Sequence, residues 1–408
     1  MPDTPAAPFF ALAAGEPSGD VLAAPLLAAL AACWPGMRAA GIGGAHMSEQ
    51  GFEVWEPVEK LSVRGYLEVL PRLPALLRLR RDVGTRLLAE NPDLFIGVDA
   101  PDFNFALEER LRSAGIKTLH YVSPSFWAWR PEKLLRLRRA ADHVLCLFPF
   151  EPELLHAAGI AATYIGHLLA QNIPMEPDRA AAREALGLPQ EGRVLALLPG
   201  SRAAEVQHLG RRFFQAAQHL LQSGAVTQLV LPAVPHLFEK VRALADEMLD
   251  KAERERLLLV QGRAQEALAA CDVTLIASGT ATLEAALMKR PMVIAYAMPA
   301  ASYWLMLRRR QLPWVGLPNI LCAPRHWLHR PPDVPAHQWA DAPDAPFTVP
   351  ELLQDAATPQ ALAAAVQHWL DNPDEAAALH ARFTELHHEL RRDSAHLAAD
   401  AIQTLIAR

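Results

Sequence analysis

Cysteine is scarce in this 408-residue chain: Cys33, Cys146, Cys271 and Cys322 are the four, all far apart. No pair has metal-ligand spacing and four thiols make no disulfide framework, so reduced cysteines and a reducing compartment are expected. No uninterrupted apolar run approaches the ~20 residues of a membrane-crossing helix. The start, Met1 to Pro8, is polar and Pro-rich without a basic stretch, so no secretory leader is expected. An excess of basic charge is missing too. Lys and Arg number 39 against 45 Asp and Glu, and a net charge of −6 argues against bulk nucleic-acid binding. The first glycine loop matches neither G-x-G-x-x-G nor the P-loop, which removes support for nicotinamide or NTPase chemistry. None of the acidic motifs resembles a dedicated metal site, so neither metal nor cofactor is expected.

What is present is apolar residue, 51% of the chain, enough for two cores at this length. Short apolar runs alternate with Ala/Leu-rich helical stretches, the signature of βαβ units and parallel sheets. In the first half, strands are predicted at Phe9–Ala14, Arg38–Gly41, Leu94–Val98, Thr118–Val122 and His143–Leu147. Helices are predicted at Val21–Cys33, capped by Ser18 or Asp20, and over Leu73–Ala89. Prolines punctuate Ala170–Gly192, and the alternation then restarts at Val194–Leu198, Gln228–Leu231, Leu257–Val260, Val273–Ile276 and Met292–Ala295. The class is therefore α/β, with two doubly wound Rossmann-like domains, 1–172 and 173–355, and C-terminal helices over 356–408 that are free to pack back on the first domain of their own or of a partner chain. Ala323–Pro350 is Pro-rich, with Trp327 and Trp339, and reads as a long irregular insertion.

Ligands of doubly wound sheets bind at the carboxyl ends of strands, so the polar residues after each strand are the candidates. Gly15-Glu16-Pro17-Ser18-Gly19-Asp20 opens a helix whose N-terminus suits an anion, although a simple capped turn has the same pattern. Asp99 stands at the tip of a buried strand, where a carboxylate is placed for general base work; Asp99 or Asp102 could equally cap the next helix. Trp127, Trp129 and Arg130 could wall a sugar or merely pack. Gly200-Ser201-Arg202, with Glu205 behind it, has the make-up of a diphosphate cradle. Ser278-Gly279-Thr280 suits phosphate at a helix start, and Glu284 one turn further suits a ribose diol, or is a solvated carboxylate on a capped helix.

These runs, AGEPSGD at 14–20, GIGG at 41–44, GVDAPDFN at 97–104, YVSPSFWAWR at 121–130, YIGH at 164–167, LLPGSR with Glu205 at 197–205, ASGTATLEAAL at 277–287, GLPNIL at 316–321 and PELLQD at 350–355, together resemble the lipid A disaccharide synthase family, in order and over nearly the whole chain. The resemblance implies a GT-B fold, two Rossmann-like domains facing a cleft. It implies transfer of 2,3-diacylglucosamine from UDP-2,3-diacylglucosamine to 2,3-diacylglucosamine 1-phosphate (lipid X) with inversion. It also implies a homodimer, peripheral on the cytoplasmic face of the inner membrane. By the same resemblance Asp99 is the base, Glu16, Ser18 and Asp20 belong to the reacting side, and Gly15, Ser201, Arg202, Glu205, Ser278, Gly279, Thr280, Glu284 and Asn319 bind substrate or UDP. Arg130, matching the arginine after the aromatic loop, is placed with these binding residues.

A membrane contact is read at Leu70, Leu73, Leu76, Leu77, Arg78, Arg80 and Arg81, where apolar residues mix with arginines; an amphipathic helix covering a core has the same composition. Tyr303–Leu307 with Arg308–Arg310 is a second such segment. The chain departs from the family between the Asn-Ile-Leu and Pro-Glu-Leu-Leu-Gln segments, where about two dozen extra residues intervene, so no family role is carried to Arg325. Two rival readings are a UDP-sugar epimerase, which can share the fold, and a non-catalytic binder of nucleotide sugar or lipid, which would have no need of Asp99.

Overall fold

The computed structural model describes residues 7–61, 66–129, 131–331 and 333–407. It divides into two compact units, residues 1–171 with 390–408, and residues 172–389.

The first unit holds seven strands: β1 (Phe9–Ala14), β2 (Arg38–Gly43), β3 (Glu53–Pro57), β4 (Leu94–Val98), β5 (Lys117–Tyr121), β6 (His143–Cys146) and β7 (Ala162–Tyr164). All pair in parallel in the order β3-β2-β1-β4-β5-β6-β7. Runs such as FFALAA and LFIGV are apolar at successive positions because both faces of a parallel strand are covered by helices. The order reverses direction between β1 and β4, whose ends lie level, Ala14 opposite Val98. The loops after these two strands therefore border the crevice where such sheets bind ligands.

Four helices matter here: α1 (Pro17–Cys33), α2 (Ala45–Ser48), α3 (Tyr66–Glu90) and α4 (Pro101–Ser113). α1 begins at Pro17 with Glu16 as N-cap, so neither Ser18 nor Asp20 caps it. Proline is tolerated at that first position because its missing N–H has no intrahelical acceptor. β3 and β7 were not anticipated: β3 is a charged edge strand and β7 only three residues long.

The second unit repeats the plan with β8 (Val194–Leu198), β9 (Gln228–Ala233), β10 (Leu257–Gln261), β11 (Val273–Ala277), β12 (Met292–Tyr296) and β13 (Glu351–Leu353), ordered β10-β9-β8-β11-β12-β13. The reversal falls between β8 and β11, where Leu198 pairs with Ile276. Arg183, fully buried, locks the entry segment by donating to the carbonyls of Ala270, Pro189, Gln190 and Gly192 and to the Asp272 carboxylate.

The expected helical tail 356–408 is split. Residues up to 389 pack with the second unit, and 390–408 rejoin the first. There the helix Ser394–Ala407 lies on α1 and buries Ala398, Ala399 and Ile402 in the core of Phe10, Leu26, Leu27 and Leu30. The Pro-rich insertion is less irregular than its composition predicts. It contains helical turns at Arg325–Leu328 and Ala336–Ala340. Trp327 and Trp339 pack at 4.6 Å between ring centroids, and the Trp339 indole donates to the Trp327 carbonyl at 3.2 Å. The four cysteines are free thiols, only Cys33 exposed.

Candidate active site

In the first unit the two loops at the reversal are tied to one another. Gly15 N–H donates to Val98 O at 3.2 Å. A Cβ at Gly15 would stand 1.9 Å from the Ala100 Cβ, so only glycine permits this approach. Glu16, the N-cap of α1, and Ser18 in its first turn are exposed beside this loop. Asp20 does not. It is buried, and its carboxylate accepts the N–H groups of Gly44 at 2.7 Å and of His46 and Met47, each at 3.1 Å. The assignment of Asp20 to the reacting group is corrected accordingly: three backbone donors hold it under the GIGG turn, where it anchors the start of α2.

Asp99 occupies the end of β4 in a left-handed conformation, φ 53°, and Ala100 follows at φ 43°. Side-chain crowding makes such backbone cost about 1–3 kcal/mol per residue, and surrounding contacts must enforce it. Here Asp99 N–H donates to Tyr121 O at 2.8 Å, and Asp99 O accepts from the Asn104 side chain at 2.8 Å. The N-cap of α4 is Ala100, without any side-chain cap, so Asp99 does not serve as a capping residue. Asp102 does not either; its exposed carboxylate faces Lys133 at 3.3 Å. The Asp99 carboxylate, half-buried, has no hydrogen-bond partner among the described residues. The neighbouring strand ends similarly: Val122 has φ 84°, severe for a β-branched residue. Ser123 beyond it is buried with its hydroxyl unpartnered among the described residues.

Beneath this turn lies a polar column that sequence reasoning missed. Asn104 and Glu108, one turn apart on α4, both face the sheet at Gly97, where a Cβ would meet Glu108 Oε1 at 2.1 Å. Glu108 Oε1 stands 2.7 Å from His120 Nδ1, and both side chains are fully buried. Burial holds the Glu108 carboxyl above its ordinary range, against the pull of His120. The available signal was the i, i+4 spacing of two polar residues in an otherwise core-facing stripe.

In the second unit the turns after β8 and β11 are neighbours through the pairing of their strands. The Glu205 carboxylate accepts Ser201 N–H at 2.9 Å and Arg202 N–H at 3.2 Å, and the Arg202 guanidinium at 2.8 Å. Glu205 is thus a cap lying under its turn, which corrects its placement as a ligand contact. Gly200, at φ 121°, leaves the room that this carboxylate fills. Arg202 projects outward, its side chain 81% exposed. After β11, the Ser278 hydroxyl donates to Val315 O at 2.8 Å, so it supports the chain rather than facing a ligand. Gly279 and Thr280 are exposed at the start of the helix Thr280–Leu287. Glu284, one turn in, has a carboxyl raised by burial and no partner among the described residues.

Asn319 is a further correction. It is fully buried, its amide donates to Val349 O and Glu351 Oε1, and its oxygen accepts Thr348 and Val349 N–H. Glu351 in turn accepts Val315 and Gly316 N–H, each at 2.9 Å. These two family motifs therefore bind each other, fastening β13 to the 315–319 turn.

Of the surface residues on α3, Leu73 and Leu77 are 42% and 45% exposed. Arg78 and Arg81 are exposed, and Leu76 is half-buried. Arg80 is half-buried and donates to Asp102 O at 3.2 Å, so it is in part a tie between α3 and α4. Arg130 lies outside the described residues, as do the side chains of Leu70, Trp127 and Trp129. No helix among the described residues is long and apolar enough to cross a membrane.

Two doubly wound units, each with its glycine-bearing turns at the reversal of strand order, define the GT-B class of nucleotide-sugar enzymes. The solved glycotransferase of kitacinnamycin superposes with TM-score 0.60 at 17% identity, covering 98% of this chain and 100% of its own. The UDP-GlcNAc 2-epimerase of Neisseria meningitidis, bound to UDP-GlcNAc, gives 0.56 at 12%, covering 98% and 99%. At such identities the likeness concerns the fold alone. Within the class, residues 10–326 match the family model for lipid-A-disaccharide synthetase. The lipid-A-disaccharide synthase of Verminephrobacter eiseniae is 53% identical over 403 residues, 97% of either chain. The chain belongs to the lipid-A-disaccharide synthetase family, whose members are glycosyltransferases of lipid A biosynthesis.

Proposed function

We propose that this chain transfers 2,3-diacylglucosamine from UDP-2,3-diacylglucosamine to the 6-hydroxyl of 2,3-diacylglucosamine 1-phosphate, with Asp99 as general base. The observation that carries the reading is the Asp99 carboxylate itself: unpartnered among the described residues and held by costly left-handed backbone at the crevice of the first sheet. The carboxylate takes the proton of the acceptor hydroxyl as its oxygen forms the new bond to the anomeric carbon. The bond from that carbon to the diphosphate breaks, UDP departs with the electron pair, and the configuration inverts. Glu16 and Ser18, exposed beside the Asp99 turn, belong to the acceptor side.

UDP is assigned to the second unit. The exposed Arg202 guanidinium and the open N-terminus of the helix Thr280–Leu287 supply positive potential for the departing diphosphate. Hydroxyl donors of a ribose would favour the ionised form of Glu284, whose burial otherwise disfavours it. The exposed leucines and arginines of α3 suit contact with an anionic membrane surface, peripheral and on the cytoplasmic side. A homodimer is part of the same reading and comes only from the resemblance of the sequence motifs.

The test is a turnover assay with both substrates. Wild type is expected to release UDP only when acceptor is present. Asp99→Ala and Asp99→Asn should lower kcat by roughly 10²–10⁴-fold with UDP binding retained. Acceptor-independent UDP release would count against transfer to this acceptor, and full activity in these variants would remove Asp99 as the base and force a new assignment of the chemistry.

A further inference from the structure

The carboxylate of a general base is useful only if its direction is fixed, and Asp99 sits on backbone that would relax if released. The groups able to fix it are few. Asp99 N–H is held by Tyr121 O at 2.8 Å. On the other side, one side chain among the described residues reaches the turn: the Asn104 amide nitrogen lies 2.8 Å from Asp99 O, 3.1 Å from Ala13 O and 3.4 Å from Val98 O. A single buried amide thus gathers the carbonyl ends of β1 and β4 and the carbonyl of the left-handed residue itself.

We propose that Asn104 is a positioning residue for the transfer reaction, its side-chain N–H groups clamping the Asp99–Ala100 turn so that the Asp99 carboxylate is aimed at the acceptor hydroxyl. The inference rests on the reading of Asp99 as base. Stability alone does not account for this residue. Asparagine is a poor choice in the first turns of a helix facing a sheet, because its amide must find partners where an apolar side chain would need none. Asn104 is fully buried, and its Oδ1 has no partner among the described residues. Only its donor half is used, and every acceptor of that half is at the strand ends that carry the site. The helix keeps the clamp in register: Asn104 N–H and Phe103 N–H each donate to Ala100 O at 3.0 Å, which closes the turn from the other end.

The experiment uses the full chain and both substrates. Asn104→Leu keeps the volume and removes the donors; Asn104→Ala removes the side chain. Each is expected to lower kcat roughly tenfold to a hundredfold, the scale of a small misplacement of a reacting group, with KM for both substrates within about twofold. In an Asp99→Asn background, Asn104→Leu should cause no further loss, since there is no base left to aim. Ala100→Gly, which removes the crowding at φ 43°, should return part of the lost kcat to Asn104→Ala. Wild-type kcat in Asn104→Leu, or the same fold-loss with and without Asp99, would overturn the clamp and leave the base standing. Full activity of Asp99→Asn would overturn both. If Asn104→Ala does not fold, Asn104→Leu carries the comparison, and absence of any rescue by Ala100→Gly in a soluble variant counts against the proposal.

Discussion

Three backbone N–H groups converge on one buried carboxylate at Asp20, and that geometry sets the consequence of changing it. Asp20→Ala removes the acceptor while Gly44, His46 and Met47 still present their donors. A carboxylate serving several N–H groups, once lost, costs about 1–3 kcal/mol, and a melting temperature lower by roughly 3–8 °C is expected. Asp20→Asn should be destabilised as well, because an amide turns an N–H toward donors. Thermal denaturation checks both, and an unchanged melting temperature would return Asp20 to the list of groups facing substrate. At this scale the sequence announced the kind of place but not its internal wiring. Gly, Ser and carboxylates after a strand mean a tight turn near a ligand. They do not say which carboxylate faces inward. Asp20 turned out to hold the neighbouring GIGG turn and Glu205 its own, whereas Asp99 remained unpartnered among the described residues. The difference lies in local backbone direction: a left-handed pair at 99–100 could not be inferred from Val-Asp-Ala-Pro.

Elements bring the next level of consequence. The YIGH segment reaches the C-terminal chain: His167 N–H donates to Leu390 O at 2.9 Å, and its ring stacks with Phe148 at 5.8 Å. Burial lowers the His167 pKa to about 4. The fold thus favours the neutral ring. The associated stability is complete above the ordinary value near 6.5 and is lost as pH falls from there toward 4, about 3 kcal/mol at most. Denaturant unfolding followed across that window should show the decline, and His167→Gln, which cannot titrate, should flatten it; an unaltered slope would assign the acid sensitivity elsewhere. α3 carries a different expectation. Reversing Arg78 and Arg81 to Glu, both exposed, should weaken binding to anionic vesicles, and added salt should weaken the wild type in parallel. Arg80 is left in place because its bond to Asp102 O serves the fold. Vesicle binding equal to wild type would remove α3 as the contact.

At the scale of the molecule, two doubly wound sheets were legible because parallel strands buried on both faces write themselves as short apolar runs, and runs such as LFIGV and VLALL cannot be mistaken for amphipathic helices. What was not legible is where the last helices go. Residues 356–408 are uniformly Ala/Leu-rich, and composition does not distinguish a helix covering the second sheet from one covering the first. The structure sends only 390–408 back to the first unit. Ile402, fully buried against the cluster of Phe10, Leu26 and Leu30, ties that return to the core beneath the Asp99 sheet. Ile402→Ala should therefore cost about 2–5 kcal/mol, the usual toll of a cavity in a packed core. That loss falls on the first unit alone. The second unit has its own core, so the variant should unfold in two separated calorimetric steps, the later one following a UDP-binding signal. A single transition displaced as a whole would mean instead that the two units unfold as one, and that the C-terminal helix stabilises both.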